Sequence, residues 1–257
     1  GLSCSDRKND CIREQKGREQ MGESTLYQHQ TLGDLMAGVF DGTLTFEELL
    51  KHGDIGIGTF HDFEGELILL DGIAYQAKAD GSISKVDPSQ TTPHAAVTFF
   101  EPDREYAIDR PMTLRKVRSD IVKRVRSRNV FSVVKITGHF EYMHTRAVPK
   151  QQKPYPRLIE ATRVQPEFET YDMQGTAIGI YTPELFDGVA KGGFHCHFIS
   201  DDRKFGGHIL DYIVDEAKCE IQTIESITQH FAVQSDDFMD KEIGYHNLAE
   251  EMAEAEG

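Results

Sequence analysis

The sequence predicts a β-rich α+β protein, with two domains built on mixed or antiparallel β-sheets and a few short helices. Strand-length runs that alternate or are apolar recur along the chain, and turn dipeptides such as Asp-Gly separate many of them. Segments with helical spacing of apolar residues are fewer and mostly short. The chain has 257 residues, and at about 100 to 200 residues per domain this length allows two domains.

The first 24 residues are polar and aperiodic, so we predict a flexible N-terminal tail there. Residues 25–165 are expected to form the first domain, a β-sheet with flanking helices. Apolar residues recur at helical spacing after Thr31, a residue type suited to an N-cap, which predicts a first helix. A second short helix is predicted near residues 46–50, ended by Gly53.

A meander of antiparallel strands is predicted next in the first domain, because turn dipeptides such as Asp71-Gly72 separate apolar runs. The predicted strands cover residues 56–60, 66–70, 73–78 and 95–100. Residues 130–148 are rich in β-branched and aromatic residues, and we predict a pair of strands folded about Gly138. A short helix is predicted near residues 158–164.

A basic helix is predicted between these strands, over residues 112–128. Its apolar residues share one face, and seven Lys or Arg residues against one Asp occupy the rest. A solvent-exposed face is the usual explanation for such charges. The whole chain has 28 Lys and Arg against 43 Asp and Glu, a formal net charge of −15, which opposes binding to phosphate backbones. We therefore predict no nucleic-acid partner.

Residues 166–257 are predicted to form the second domain, an antiparallel β-structure followed by an acidic tail. Its predicted strands cover residues 176–181, 194–200, 208–214 and 219–224. The last 22 residues carry eight acidic side chains and one Lys, which indicates a terminal helix or a charged tail.

Cysteine content and hydropathy favour a cytoplasmic protein. The four cysteines include no Cys-x-x-Cys pair and are too few for a disulfide framework in a chain of this length. No apolar run approaches the roughly 18 residues of a membrane span, and no export signal is visible at the start of the chain. We predict no membrane partner and a cytoplasmic location, with a secreted form that has lost its signal as the alternative.

Three histidines form the strongest candidate for chemistry. His195 and His197 are two residues apart in a predicted strand, so both imidazoles face one side, and alternation directs Cys196 to the other side, into the core. His208 follows Gly206-Gly207 and begins the next predicted strand, which can fold back beside the first. Three neutral imidazoles suit a divalent ion such as zinc and leave positions open for water or substrate.

Two charged residues stand at the ends of predicted strands. Glu66 begins an apolar strand and Arg146 lies near the end of residues 130–148; such single charges are most often surface residues. The segment 56–58 has two glycines but lacks the third glycine and the Lys-Ser/Thr of phosphate loops, so we predict no nucleotide site. Metal-assisted chemistry is the enzymatic interpretation that the residues support.

Ten short stretches follow the order of one known family. Three of them carry specific patterns: Gly-Phe-His-Cys-His-Phe with the later Gly-Gly-His-Ile-Leu-Asp, and Arg-Ala-Val-Pro-Lys-Gln. All ten run from about residue 25 to the C-terminal region, and together they resemble the alpha-acetolactate decarboxylase family. The stretches are residues 26–28, 35–38, 53–60, 62–66, 145–151, 153–155, 175–179, 181–183, 193–199 and 206–211.

The resemblance implies zinc-dependent decarboxylation of (S)-2-acetolactate to (R)-acetoin and CO2, in acetoin and butanediol biosynthesis, by a protein that is usually a homodimer. By motif match the three histidines would hold the zinc, Glu66 and Arg146 would line the site, and Thr59 would help to bind substrate. A glutamate of the C-terminal tail reaches the site in this family, and here Glu254 and Glu256 are both candidates. The zinc site would therefore lie between sheet strands and the tail.

The same resemblance suggests roles for the charged residues. We hypothesise that Glu66 or the tail glutamate is the general acid, because stereospecific protonation needs a positioned donor. Arg146 would hold the substrate carboxylate or help to direct the proton. Two alternatives stay open: a non-enzymatic metal-binding β protein of the cupin or storage type, and a zinc hydrolase, which would lack an HExxH or comparable base motif here.

Overall fold

The structure is a computed structural model that describes residues 24–244 and 248–256. The predicted N-terminal tail, except Ser24, lies outside the described residues, as do Cys4 and Cys11. The described part contains fifteen β-strands and a few short helices, so the predicted β-rich α+β class is confirmed. In that part the cysteines, Cys196 and Cys219, are free thiols.

A seven-stranded mixed sheet forms one layer of the described chain. In spatial order its strands are Ser226–His230 (β15), Thr25–His29 (β1), Ala95–Thr98 (β8), Ile55–Thr59 (β3), Glu66–Leu70 (β4), Ile73–Ala77 (β5) and Ile83–Lys85 (β6). Strand β15 pairs with β1 in parallel, and the neighbours from β1 to β6 pair antiparallel. The predicted antiparallel meander is confirmed.

The turn between β4 and β5 shows why the sequence predicted this meander correctly. Asp71 and Gly72 have φ of 51° and 76°, in the left-handed region that a two-residue type I′ turn requires at both positions. Glycine adopts this conformation freely and aspartate tolerates it. The turn therefore sets the register in which Leu70 pairs with Ile73.

The described residues also form a six-stranded antiparallel sheet. Its main path is Met112–Thr113 (β10), Gly206–Thr223 (β14), Ser132–Arg146 (β11), Glu167–Thr182 (β12) and Gly193–Ser200 (β13), and Arg104–Ile108 (β9) pairs with β14 as well. Strand β13 pairs back onto β14, so that β14, β11, β12 and β13 form a closed ring of pairings. A small separate ribbon joins Leu44–Thr45 (β2) to Thr91–Thr92 (β7).

Strands β11, β12 and β14 of this second sheet are longer than predicted. The predicted pair of strands folded about Gly138 is wrong, because β11 is continuous and Gly138 pairs with Gly175 on one side and Ala217 on the other. The predicted strands 208–214 and 219–224 are likewise parts of the single strand β14. Gly138 does not form a turn but allows the neighbouring strand to approach closely. A Cβ atom at this position would lie 2.1 Å from the Glu216 carbonyl oxygen, which is too close.

Replacing Gly138 with Ala is therefore expected to destabilise the fold by about 1 to 3 kcal/mol, the usual cost of overpacking. Urea unfolding of the variant and the wild type measures this loss. Thr137→Ala, at the exposed neighbouring position of the same strand, is the control and should lose less stability. Equal losses in both variants would show that the close approach at Gly138 carries no special cost.

The helices are short and lie between or beside the sheets. They are Leu32–Met36 (α1), Phe46–Leu49 (α2), Leu114–Arg124 (α3), Leu158–Thr162 (α4), Asp236–Met239 (α5) and Leu248–Glu256 (α6), with 3₁₀ turns at His61–Phe63 and Glu184–Phe186. The predicted N-cap is confirmed, because the Thr31 hydroxyl accepts a hydrogen bond from the Asp34 N–H. Within residues 24–244 and 248–256, no helix is both long and apolar enough to cross a bilayer.

The basic helix α3 has the solvent-exposed face that its charge pattern predicts. It buries Val117 and Ile121 in the core of the second sheet, while Arg115, Lys116 and several later basic residues are exposed. Its charges are thus explained by solvation of an amphipathic surface helix.

The two sheets pack face to face through an apolar core. Ile57 and Ile68 of the first sheet share a buried cluster with Ile178, Ile180 and Ile199 of the second. The predicted domain division at residue 165 stays a prediction, and the sheets do not follow it. Strands β9 to β11 precede that position yet lie in the second sheet, whereas β15 follows it yet lies in the first.

Candidate active site

Three histidines come together where β13 meets β14. His195 and His197 alternate along β13, and the antiparallel register places His208 opposite His197. One ligand nitrogen of each ring lies within 4.8 Å of those of the other two. Cys196 packs against the apolar core of the second sheet, as alternation predicts. The sequence pattern therefore located this cluster correctly.

The strand register also explains how Arg146 joins the histidines. Arg146 ends β11 and lies directly opposite His208, which is in turn opposite His197. Directly opposed residues on adjacent strands present their side chains to the same face of a sheet. Three residues that are far apart in sequence thus form one row across three strands. Arg146 is 3% exposed, so its guanidinium is buried in the protein.

The first sheet contributes Glu66 and Thr59, which are directly opposite each other on β4 and β3. The Oε2 atom of Glu66 lies 3.4 Å from Nε2 of His197. The Thr59 hydroxyl donates a hydrogen bond to the Gly65 carbonyl oxygen at 2.7 Å. Both side chains are buried, so Glu66 is not the surface charge that its sequence position alone would suggest.

A hydrogen bond between the sheets orients His197. Its Nδ1 lies 2.7 Å from the carbonyl oxygen of Leu67 on β4. Because a carbonyl oxygen only accepts, the proton is on Nδ1, and the lone pair of Nε2 faces the other histidines. A hydrogen bond of this kind, from the second ring nitrogen to a backbone carbonyl, is the common way in which proteins orient metal-binding histidines.

The C-terminal helix α6 brings Glu256 to the cluster. The Glu256 Oε2 atom lies 3.5 Å from His195 Nε2, and 3.9 Å from both His208 Nδ1 and Arg146 Nη2. In the described part of the chain, no group donates a hydrogen bond to this oxygen, although it is buried. A buried carboxylate oxygen without a donor is available to a cation or to a substrate hydroxyl.

Glu254, the other tail candidate, is not brought to this cluster. Its Oε1 lies 2.9 Å from Nε of Arg163 at the surface, and its side chain is 52% exposed. Residues two apart on an α-helix point to widely different directions, about 200° around the axis. Since Glu256 faces inward in α6, Glu254 faces outward.

Two cations fix the end of α6. The Arg146 Nη2 donates a hydrogen bond to the Ala255 carbonyl oxygen at 2.5 Å, and the Lys191 Nζ donates one to the Glu256 carbonyl oxygen at 2.8 Å. The Arg146 Nη1 also donates to the side chain of Gln165. Cations near the last carbonyl groups of a helix are favourable. Sequence analysis missed Lys191 and Gln165, because no motif contains them and only the packing of α6 gives them partners.

A small cavity lies between the histidines and α6. Its walls come from both sheets, from α1 and from α6; they are Leu32, Leu35, Gly58, Thr59, Phe63, Glu66, His94, Arg146, His195, His208 and Glu256. Sequence analysis also missed His94, which stands just before β8 without any spacing relative to the other histidines. Every residue that the sequence singled out, except Glu254, thus lies in or beside one cavity.

Burial sets the protonation of the cluster. It lowers the pKa of His197 to about 3, an effect that the neighbouring His195 ring reinforces, and it lowers the pKa of His195 and His208 well below the usual value. All three imidazoles are therefore neutral near pH 7, as metal ligands must be. Burial also raises the pKa of Glu66 to about 8, against the opposing charge of Arg146.

The donor set fits zinc. It offers three neutral imidazoles with close ligand atoms, one of them oriented by a backbone carbonyl, and a nearby carboxylate oxygen that no described group hydrogen-bonds. Nitrogen and oxygen donors in this number are those of catalytic zinc sites, which keep a coordination position for substrate or water.

A sequence model of the alpha-acetolactate decarboxylase family matches residues 26–245. The chain belongs to this family. Among its relatives, alpha-acetolactate decarboxylase from Lactococcus lactis subsp. cremoris is 41% identical over 92% of this chain and all of its own length. The Bacillus subtilis alpha-acetolactate decarboxylase is 34% identical, over 94% of each chain.

Solved structures agree with this family assignment. The crystal structure of alpha-acetolactate decarboxylase from Bacillus subtilis has a TM-score of 0.89 at 35% identity, over 91% of this chain and all of that one. A Staphylococcus aureus protein described as similar to alpha-acetolactate decarboxylase has a TM-score of 0.88 at 44% identity, over 90% of this chain and all of that one. The predicted resemblance is confirmed, and the chain is an enzyme of the alpha-acetolactate decarboxylase family. The non-enzymatic alternative is set aside.

Proposed function

We propose that this protein decarboxylates (S)-2-acetolactate to (R)-acetoin and CO2, with zinc held by His195, His197 and His208. One observation carries the proposal: three neutral imidazoles, a guanidinium and two carboxyl groups converge on a single buried cavity in a member of this family. We extend the proposal to a cytoplasmic homodimer that serves acetoin and butanediol biosynthesis, as the resemblance implies.

The reaction needs stabilisation of negative charge on oxygen. When CO2 leaves a 2-hydroxy-3-oxo acid, the electron pair of the broken C–C bond moves into the adjacent ketone and forms an enediolate. Zinc, when bound, would supply Lewis-acid stabilisation of the charge that develops on the substrate oxygens. The remaining requirements, which are binding of the carboxylate and delivery of one proton to carbon, belong to the residues of the cavity wall.

Arg146 is suited to binding the substrate carboxylate. Its two terminal nitrogens already donate to Gln165 and Ala255, which holds the guanidinium in place. Its Nε is buried, and nothing within residues 24–244 and 248–256 accepts its N–H. A buried donor without a partner costs about 1 to 3 kcal/mol. An anionic substrate in the cavity would remove this cost, because a carboxylate is the preferred partner of a guanidinium.

We assign the role of proton donor to Glu66. It reaches the cavity from the first sheet, its Oε2 atom lies 3.4 Å from Nε2 of the neutral His197, and burial raises its pKa to about 8. Glu256 reaches the cavity from α6, and its Oε2 atom lies 3.9 Å from Nη2 of Arg146. A single positioned donor that protonates one face of the planar enediolate would explain a single product enantiomer.

The direct test is incubation of the purified protein with racemic acetolactate, with and without a chelator. We expect (R)-acetoin and CO2, loss of activity after metal removal, and recovery when zinc is added back; elemental analysis gives the metal content independently. Absence of acetoin from the metal-loaded protein would overturn the proposed reaction. Acetoin formation that survives complete metal removal would overturn the role of zinc alone. Turnover of ester or amide substrates instead would favour the hydrolase alternative.

A further inference from the structure

His94 lines the cavity, and neither the motifs nor the proposed reaction gives it a role. It immediately precedes β8 and is 8% exposed. It shares the cavity wall with Glu66, Arg146 and His195. Among the described residues, none forms a hydrogen bond with its Nδ1, although this atom is buried. The cavity therefore contains a polar atom that the folded chain leaves without a partner.

The backbone of His94 is held firmly. Its carbonyl oxygen accepts a hydrogen bond from the Thr59 N–H at 3.0 Å, and its own N–H donates to the Thr92 hydroxyl oxygen at 3.1 Å. On the neighbouring strand Gly58 packs so closely that a Cβ there would lie 2.5 Å from the His94 carbonyl oxygen. Because these contacts fix the main chain, the ring is presented to the cavity from a rigid position.

A neutral imidazole carries its one proton on either ring nitrogen and accepts at the other. In His94 the buried nitrogen Nδ1 is without a partner among the described residues, so the group that binds in the cavity decides its role. A neutral imidazole that carries its proton on Nε2 has a lone pair on Nδ1 and accepts there. Burial lowers the pKa of His94, which favours the neutral ring.

We propose that Nδ1 of His94 accepts a hydrogen bond from the 2-hydroxyl group of the substrate and thereby selects for 2-hydroxy acids. This inference rests on the proposed function, which supplies a 2-hydroxy-3-oxo acid. The hydroxyl is the hydrogen-bond donor of that molecule, since its ketone and ionised carboxylate only accept. The N–H groups of Arg146 can donate to the carboxylate oxygens of the substrate, and Nδ1 of His94 can accept from its hydroxyl group.

The selectivity follows from the cost of an unpaired group. An analogue without the hydroxyl would leave Nδ1 buried without a partner, which is unfavourable for a polar atom. Sites built to hydrogen-bond a substrate hydroxyl discriminate against analogues that lack it. His94 would thus be a substrate-binding residue that determines specificity, separate from the metal-binding histidines.

The test compares two stable acids that differ in the hydroxyl group, 2-hydroxy-2-methylpropanoate and 2-methylpropanoate, in calorimetric titrations of the metal-loaded protein. We expect the wild type to bind the hydroxy acid about tenfold more tightly, in line with one hydrogen bond of up to about 1.5 kcal/mol. His94→Phe, which keeps a ring but removes the acceptor, should abolish this preference. His94→Asn, which places an amide oxygen near the position of Nδ1, should restore part of it.

His52→Phe is the matched control, because His52 is an exposed histidine outside the cavity. It should bind both acids as the wild type does, and metal content and melting temperature should stay unchanged in every variant. A wild type without preference for the hydroxy acid, or a His94→Phe variant that retains the preference, would overturn the inference. Because the titrations need no turnover, they decide the role of His94 even if the protein forms no acetoin, which would overturn the proposed function separately.

Discussion

Replacing Glu66 with Gln is expected to lower acetoin formation by about a hundredfold or more, since a positioned general acid contributes roughly 10² to 10⁴ in rate. Glutamine has nearly the same shape as glutamate but carries no acidic proton. The contact with His197 is close, at 3.4 Å, yet Glu66 is not one of the three histidines that we propose as zinc ligands, so zinc content should stay near the wild-type value. Steady-state kinetics and elemental analysis together measure both expectations.

A matched control for this variant lies two residues earlier. Glu64 is a partly exposed glutamate whose Oε1 lies 3.9 Å from Lys78 Nζ, and it is not part of the cavity wall. Glu64→Gln should therefore keep wild-type turnover. Full activity in Glu66→Gln would disprove its assignment as proton donor. Loss of zinc together with activity would instead show that Glu66 is needed to hold the metal.

Glu256→Gln is expected to reduce kcat/KM by about a hundredfold. Removal of one preorganised electrostatic group from an active site typically has an effect of about this size on the rate. The substitution removes the negative charge that lies 3.5 Å from His195 and 3.9 Å from Arg146. It should affect charge balance in the cavity more than the fold, because the carbonyl groups that Arg146 and Lys191 bind are backbone atoms and remain.

The helix itself supplies the control for the second variant. Glu254→Gln removes a tail carboxylate two residues earlier in the same helix, but it breaks only an exposed pair with Arg163. Exposed pairs contribute about 0 to 1 kcal/mol, so turnover should change less than about twofold. Similar losses in the two variants would mean that the acidity of the tail as a whole, and not the position of Glu256, matters for the reaction.

The sequence predicted the cluster of three histidines well because its geometry is local. Alternation along a strand puts His195 and His197 on one side whatever the rest of the fold does. The Gly-Gly step before His208 allowed a return strand, and the register confirmed it. The same kind of local argument, that a glycine marks a turn, gave a wrong prediction at Gly138. A glycine in a sequence does not tell whether it is needed for a positive φ or for the close approach of a neighbouring strand.

The remaining parts of the site depend on packing that no short pattern encodes. The choice between Glu254 and Glu256 required the helical phase and the docking of α6, which rest on Arg146 and Lys191. His94 has no spacing relation to the other histidines and reaches them only because β8 lies beside β3 in the first sheet. The family resemblance identified Glu66 and Arg146 as candidate site residues. The register of the strands explains why their side chains lie at the cavity.

The hydrogen bond from His197 to Leu67 has a consequence for how the site comes into being. A peptide with residues 193–208 would contain all three imidazoles, but the carbonyl group that orients the middle one lies 130 positions earlier in the chain. Closing so long a loop costs conformational entropy before any contact repays it. We therefore expect the orientation of His197 to be acquired only when the two sheets meet, whereas alternation by itself fixes just the side of the strand on which His195 and His197 lie.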